Sequence, residues 1–221
     1  MHIIPLTIVD NFFEDPSSIR DWALTLPYYT DSKGRWPGAR TPALHDINPE
    51  FVEYFSKKFF SLFFNFEVEQ VNWSIDLCFH QIDKSYGQGW IHQDESTRIA
   101  GVVYLTPNAN IDGGTSIYAK RSEAMFAKNK QESLMAKVDF YTNQKGNVES
   151  IEPHRQNIAS EFIETVKVNN VYNRLVAYDG HLHHAANNYL EEKENTRLTL
   201  VFFVTHLQAD KTPIHRMRSI T

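Results

Sequence analysis

The spacing of apolar residues changes near residue 66, and this change limits the folds available to the chain. Before it, Phe51, Phe55 and Phe59 recur at intervals of four, which predicts one apolar face of a helix that packs on a core. After it, the pattern alternates with a period of two, and turn residues separate short apolar runs. Helices followed by many short strands predict a closed β-sandwich with helices on its outer face.

Two helix starts carry the same local signal. Asp15-Pro16 and Asn48-Pro49 each place a capping side chain before a proline, the residue preferred at the first helical position. We therefore predict helices over residues 16–26 and 49–64, preceded by a short strand over residues 3–9.

The remaining strands are predicted over residues 68–79, 98–105, 115–118, 173–178 and 196–206. A polar stretch interrupts them and includes a predicted helix over about residues 153–166. The fold class is mainly β with supporting helices, a double-stranded β-helix or jelly roll. We predict one domain over residues 1–221, with helical support in 1–65, the jelly-roll core in 66–119 and 171–207, and an insertion in 120–170 as a candidate lid.

Composition excludes several classes of function. The 221 residues carry a formal charge of −5 with acids and bases interspersed, so there is no basic stripe of the kind that binds nucleic acid. A single cysteine, Cys78, excludes an internal disulfide and a thiolate zinc site. No signal peptide and no apolar run of about 20 residues is present, so we expect a soluble, cytoplasmic protein without a membrane partner.

A pair of metal-capable side chains lies in His92-Gln93-Asp94. On a strand, residues two apart point to the same face, so that one imidazole nitrogen and one carboxylate oxygen reach a single ion. The triplet is short and common in unrelated sequences, so it predicts a metal site only when a further ligand is found.

Further ligands are available about ninety residues downstream, where Tyr178 ends a predicted strand and a turn carries His181, His183 and His184. Two histidines and one carboxylate on one side of an octahedron leave three positions open, an arrangement typical of non-haem Fe(II) oxygenases. The spacing alone leaves open which of the three histidines binds.

Arg197 follows this turn and opens an apolar strand. A buried guanidinium is costly unless it meets an anion, and its planar fork matches a carboxylate. Arg197 is therefore a candidate anion-binding residue.

In this order the motifs resemble those of the 2-oxoglutarate/Fe(II) dioxygenases, in the branch similar to prolyl 4-hydroxylases. The resemblance covers residues 73–203. The matching elements are His92-Gln93-Asp94, the strand Gly101-Val102-Val103-Tyr104-Leu105, the turn Gly113-Gly114-Thr115, the segment from Tyr178 to His184, and Arg197 with Thr199 beyond it.

This resemblance implies an enzyme that binds Fe(II) and uses 2-oxoglutarate and molecular oxygen to oxidise, most often hydroxylate, a further substrate. The implied metal ligands are His92, Asp94 and His184, because the family places the distal histidine six residues after the aromatic that ends the preceding strand; His183 and His181 remain alternatives. Arg197, Tyr104 and Thr199 would bind 2-oxoglutarate, and the resemblance implies no catalytic residue beyond the metal ligands.

Two departures and one alternative bear on this interpretation. The family's usual Gly-Gly-Glu-Thr turn reads Gly113-Gly114-Thr115-Ser116, and the insertion in 120–170 is longer than in compact members, so the substrate is not inherited. The alternative is a cupin-like metal-binding jelly roll, an isomerase or a non-catalytic sensor. A cupin is expected to carry His-x-His with a nearby glutamate, whereas this chain has His-x-Asp followed by Arg197.

Overall fold

The computed structural model describes residues 6–121, 130–143, 148–189 and 196–210. The strands within these ranges are β1 (Thr7–Val9), β2 (Tyr29–Thr30), β3 (Ala39–Arg40), β4 (Val71–Asp83), β5 (Ile99–Tyr104), β6 (Thr115–Lys120), β7 (Phe162–Val168), β8 (Leu175–Asp179), β9 (His183–Ala186) and β10 (Thr196–Ala209). The α-helices are α1 (Pro16–Thr25), α2 (Leu44–Ile47), α3 (Pro49–Phe60), α4 (Lys130–Asn143) and α5 (Val148–Ala159).

Two antiparallel sheets face each other. The larger has the strand order β1-β8-β5-β10-β4-β3-β2, and the smaller has the order β7-β6-β9. Tyr104 and Val176 of the larger sheet pack in one cluster with Ile117 and Val168 of the smaller sheet. The predicted fold class, a jelly roll with supporting helices, is confirmed.

The two N-terminal helices begin as the sequence predicts. The Asp15 carboxylate accepts a hydrogen bond from the Ser18 amide at 3.1 Å, and the Asn48 side chain accepts one from the Phe51 amide at 3.0 Å. Each cap satisfies a donor that the first helical turn leaves unpaired. The helices end slightly earlier than predicted, at Thr25 and Phe60.

Aromatic side chains join α3 to the outer face of the larger sheet. The rings of Phe55 and Phe59 lie 5.1 and 4.8 Å from that of Phe202 on β10, and all three are buried. Each buried ring of this size contributes about 1.5–3 kcal/mol through removal from water. The phenylalanine stripe is thus a packing face, as its spacing predicts.

The prediction of a helix over residues 153–166 was wrong in its second half. The helix α5 ends at Ala159, and residues 162–168 form β7, which pairs with β6. In Phe162-Ile163-Glu164-Thr165-Val166 the β-branched residues favour a strand, and pairing with β6 supplies the ladder that isolated sequence does not reveal.

The segment 1–65, interpreted as helical support, also adds β1, β2 and β3 to the larger sheet. Residues 3–5 of the first predicted strand lie outside the described residues. Within the part of the chain described, no helix is both long and apolar enough to cross a membrane.

Candidate metal centre

A single backbone bridge brings His92 and His184 together. The His92 amide donates to the His184 carbonyl at 3.0 Å, and the His184 amide donates to the His92 carbonyl at 2.9 Å. The two ring centroids are 4.3 Å apart. His184 lies on β9, whereas His92 lies on an isolated bridge between β4 and β5 and not on a strand, as the spacing argument had assumed.

Asp94 is held against the turn that precedes β9. Its amide donates to the Gly180 carbonyl at 2.9 Å. A Cβ at position 180 would lie 2.2 Å from the Thr97 carbonyl oxygen, which no side chain tolerates, so glycine allows the two loops to meet. This close approach directs the carboxylate of Asp94 toward both imidazoles.

The same local contact orients both imidazoles. Nδ1 of His92 lies 2.8 Å from the Trp90 carbonyl oxygen, and Nδ1 of His184 lies 2.8 Å from the Leu182 carbonyl oxygen. Because a carbonyl only accepts, each Nδ1 carries the proton, and the Nε2 lone pair of the neutral ring is left for a ligand.

The two free nitrogens face one carboxylate. Nε2 of His92 lies 3.8 Å from Oδ1 of Asp94, and Nε2 of His184 lies 3.3 Å from Oδ2. The ligand atoms of the three residues all lie within 4.8 Å of one another. This set, two imidazoles and one carboxylate, is the donor set that suits a non-haem Fe(II) site with open positions.

The charge states of this cluster also suit a cation. Partial burial and the neighbouring His184 lower the pKa of His92, which favours its neutral ring. Burial raises the pKa of Asp94, but the neighbouring His184 and His92 rings and the Arg40 charge outweigh this effect and leave the pKa below its usual value. Neutral imidazoles and an ionised carboxylate are the forms that bind metal.

The other two histidines of the turn point elsewhere. Nδ1 of His181 lies 3.1 Å from the Asp179 carboxylate, and the His183 ring packs 4.6 Å from the ring of Phe162. Neighbouring residues on a strand face opposite sides, so His184 and His183 of β9 do not reach the same site. The structure therefore brings His184, and neither His181 nor His183, to His92 and Asp94.

Arg197 lies beside this cluster on β10 and is buried. Its Nε donates to the Gly113 carbonyl at 3.1 Å, and its guanidinium carbon lies 5.3 Å from the centre of the Tyr104 ring. The Tyr104 hydroxyl is 2.9 Å from Oγ1 of Thr115. Among the described residues, no carboxylate lies within 4.0 Å of the Arg197 guanidinium nitrogens.

Thr199 is paired across the sheet with Tyr104 and is fully buried. Its Oγ1 has no hydrogen-bond partner among the described residues, although a buried hydroxyl without a partner is costly. Arg197 and Thr115 line the cavity described next, whereas Tyr104 and Thr199 are not among its lining residues.

A cavity of about 440 Å³ opens over the cluster, within the rough range of 300–1,000 Å³ that small-molecule sites occupy. Its wall also includes residues outside the predicted metal and 2-oxoglutarate sites: Trp36, Arg40, His80, Trp90, Lys137 and Tyr141. They come from separate parts of the chain and have no common spacing. Of these, His80 is buried with Nε2 2.6 Å from the Pro37 carbonyl oxygen.

Comparison with solved structures places this fold. HygX from Streptomyces hygroscopicus, solved with nickel and 2-oxoglutarate bound, matches with a TM-score of 0.55 and 14% identity over 90% of this chain and 82% of that chain. A prolyl hydroxylase from Trichoplax adhaerens, solved with a hypoxia inducible factor peptide fragment, matches with a TM-score of 0.50 and 12% identity over 98% and 87% of the two chains. The molecule thus has the fold of the 2-oxoglutarate/Fe(II) oxygenases, as the motifs indicated.

Sequence comparison then gives the family. The chain belongs to the family of unknown function DUF6445, whose model matches residues 2–204. No curated protein matches the sequence significantly.

Proposed function

We propose that this protein is an Fe(II)- and 2-oxoglutarate-dependent oxygenase that hydroxylates a small organic substrate. The observation that carries the proposal is the cluster of His92, Asp94 and His184, whose ligand atoms lie within 4.8 Å of one another on one wall of a cavity. The fold shared with enzymes solved with 2-oxoglutarate supports the same conclusion.

Iron would be held by Nε2 of His92, Nε2 of His184 and the carboxylate of Asp94. Bound Fe(II), together with 2-oxoglutarate and oxygen, supplies the oxidising chemistry, and the protein contributes fixed ligands and open coordination positions. The two Nδ1–H contacts to backbone carbonyls keep both rings in the orientation and tautomer that a metal needs.

The far carboxylate of 2-oxoglutarate would meet Arg197 in the cavity wall. The guanidinium is buried and lacks a carboxylate among the described residues, so an incoming anion would remove an unfavourable desolvated charge. The Tyr104 hydroxyl, next to Arg197, and Oγ1 of Thr199, across the sheet from Tyr104, would complete the set of donors when the carboxylate enters. Burial raises the pKa of Tyr104, which keeps this hydroxyl protonated.

The segment 120–170 remains our candidate for a lid. Its helix α4 contributes Lys137 and Tyr141 to the cavity wall, so part of the segment reaches the site. Closure over a substrate would exclude water from the metal. Replacing residues 121–160 by a short Gly-Ser linker is expected to keep slow 2-oxoglutarate decay without substrate and to abolish coupled oxidation.

An anaerobic titration tests the proposed function. Fe(II) is added to the metal-free protein with and without 2-oxoglutarate, and the weak visible metal-to-ligand charge-transfer band is recorded. We expect one equivalent of iron to saturate the band, and only when 2-oxoglutarate is present. A protein that binds iron stoichiometrically but never develops the band does not use 2-oxoglutarate, and the proposal then fails.

A further inference from the structure

We propose that the oxidised substrate is an organic anion, such as a carboxylate, whose charged group binds between Arg40 and Lys137 in the cavity. The inference rests on the proposed function, since it names the substrate class of that same site. It begins with two cations in the cavity wall that neither the metal ligands nor Arg197 require.

Arg40 is the first of these cations. It lies on β3, its guanidinium carbon is 4.3 Å from the centre of the Trp36 ring, and its Nε is buried without a hydrogen-bond partner. No carboxylate among the described residues lies within 4.0 Å of its guanidinium nitrogens. Buried donors are nearly always satisfied in folded proteins, so this unpaired nitrogen indicates a missing acceptor.

Lys137 is the second cation and comes from α4. Its side chain is half-buried and lines the same cavity, and its Nζ lies 5.6 Å from the centre of the Tyr141 ring. Burial lowers the pKa of Lys137, and no described group offsets this effect. A lysine placed in a cavity at such a cost is stabilised when an anion binds beside it.

The side chains that line the cavity carry more positive than negative charge. The lining cations are Arg35, Arg40, Lys137 and Arg197, and Asp94 is the one carboxylate among the described lining residues. Arg35 is already neutralised, since its Nε and Nη2 donate to Asp31 at 3.0 and 2.9 Å.

Binding of Fe(II) and 2-oxoglutarate does not neutralise the excess positive charge of the cavity wall. The two negative charges of 2-oxoglutarate equal the two positive charges of Fe(II), and the far carboxylate of 2-oxoglutarate is assigned to Arg197. Asp94 is committed to the metal. Arg40 and Lys137 therefore still lack a counter-charge, and the remaining ligand must bring it.

The uncharged donors in the wall agree with an acceptor-rich substrate. Nε1 of Trp36 and Nε1 of Trp90 are both buried and both lack a hydrogen-bond partner among the described residues. Their rings, together with Tyr178 and Phe203, supply apolar surface around the cavity. No free carboxylate is present among the described lining residues to bind an amine, so a substrate with a cationic group is disfavoured.

The two cations are brought to one cavity by direct packing of their elements. Gly34, with φ of +60°, lies in the loop before β3, and a Cβ there would lie 2.6 Å from the Val138 carbonyl oxygen of α4. The loop that leads to Arg40 thus rests on the turn of α4 that carries Lys137. This contact joins the N-terminal segment to the candidate lid.

Calorimetry with matched ligand pairs tests the inference. The protein, saturated with Fe(II) and 2-oxoglutarate under anaerobic conditions, is titrated with monocarboxylates of increasing size, from acetate to 4-phenylbutyrate, and with the corresponding neutral amides. We expect at least one carboxylate to bind at least tenfold more tightly than its amide, a difference of about 1.4 kcal/mol. If every carboxylate binds no better than its amide, the inference is overturned.

Variants locate the binding group. Arg40→Gln and Lys137→Met should each weaken the preferred carboxylate at least tenfold and leave the amide unchanged. Arg35→Gln is the matched control, because this arginine lines the same cavity but is neutralised by Asp31, and it should change the affinity less than twofold. Equal losses in all three variants, or none in Arg40→Gln and Lys137→Met, would contradict the assignment.

Two further readouts separate this inference from the proposed function. The charge-transfer band must form normally in Arg40→Gln and Lys137→Met. If the wild-type protein itself lacks the band, the proposed function fails and the inference is still open to test. The ratio of carboxylate to amide affinity is then measured on the metal-free Arg197→Met protein, in which Arg197 cannot bind the carboxylate. In addition, Lys137→Met should raise the melting temperature of the ligand-free protein, because it removes an unpaired half-buried charge. A lower melting temperature would assign Lys137 a structural role and overturn its place in the site.

Discussion

Replacing Arg197 by methionine should separate cofactor binding from metal binding. Arg197 is 3% exposed and lacks a described carboxylate partner, so its pairing with 2-oxoglutarate would take place away from water. Removing one partner of such a buried pair costs about 2–5 kcal/mol. Taking about 3 kcal/mol, the dissociation constant of 2-oxoglutarate rises by roughly 100- to 200-fold.

The assay is the anaerobic titration, with iron saturating and 2-oxoglutarate varied. The iron stoichiometry of Arg197→Met should remain at one, because His92, Asp94 and His184 are untouched. Arg40→Met is the control, since it removes another arginine of the same cavity and should change the 2-oxoglutarate affinity less than threefold. If Arg40→Met instead abolishes 2-oxoglutarate binding while Arg197→Met does not, the roles of the two arginines are reversed and the reasoning is refuted.

Further variants test the remaining residues of the site. Asp94→Ala should abolish iron binding and succinate formation, whereas Glu95→Ala, at an exposed neighbour, should alter neither; succinate formed at the normal rate by Asp94→Ala contradicts the ligand assignment. His184→Ala should lose stoichiometric iron binding while His181→Ala retains it, as measured by equilibrium dialysis; the opposite result would move the ligand along the turn. Thr199→Val should raise the melting temperature of the ligand-free protein by a few degrees, because it removes an unpaired buried hydroxyl that costs about 1–3 kcal/mol. The same variant should weaken 2-oxoglutarate binding. Thr106→Val is the control and should lower the melting temperature, because the Thr106 hydroxyl accepts a hydrogen bond from the Leu198 amide at 2.7 Å.

The sequence predicted those parts of the fold that depend on local signals. The caps at Asp15 and Asn48 and the alternating strands are short-range patterns, and they appear in the structure close to the predicted positions. The strand β7 was missed because its partner, β6, lies more than forty residues away in the chain. A polar strand at a sheet edge carries little periodic signal of its own.

The residues of the candidate site also fall into two groups, those that sequence motifs predict and those that only the structure brings together. The motifs that resemble the dioxygenase family contain His92, Asp94, His184 and Arg197, so the sequence predicted that these residues form one site. Arg40 and Lys137 are almost a hundred residues apart, and no motif links them, although Lys137 lies in the segment 120–170 that we predict as a candidate lid. Their meeting depends on the packing of the Gly34 loop on α4, which only the three-dimensional structure reveals.

A metal bound beside the bridge between His92 and His184 would cross-link the two sheets. His184 belongs to the smaller sheet, whereas His92 and Asp94 lie in the connection between two strands of the larger one. An ion bound by all three would add a cross-link at the end of the sandwich where the His92 and His184 backbones exchange two hydrogen bonds. At a free iron concentration one hundred times the dissociation constant, binding adds about 2.7 kcal/mol to the stability of the folded state. Loss of iron would therefore open the sandwich at this end first, and hydrogen exchange at the amides of His92 and His184 would report the opening before any other part of the β-structure loosens.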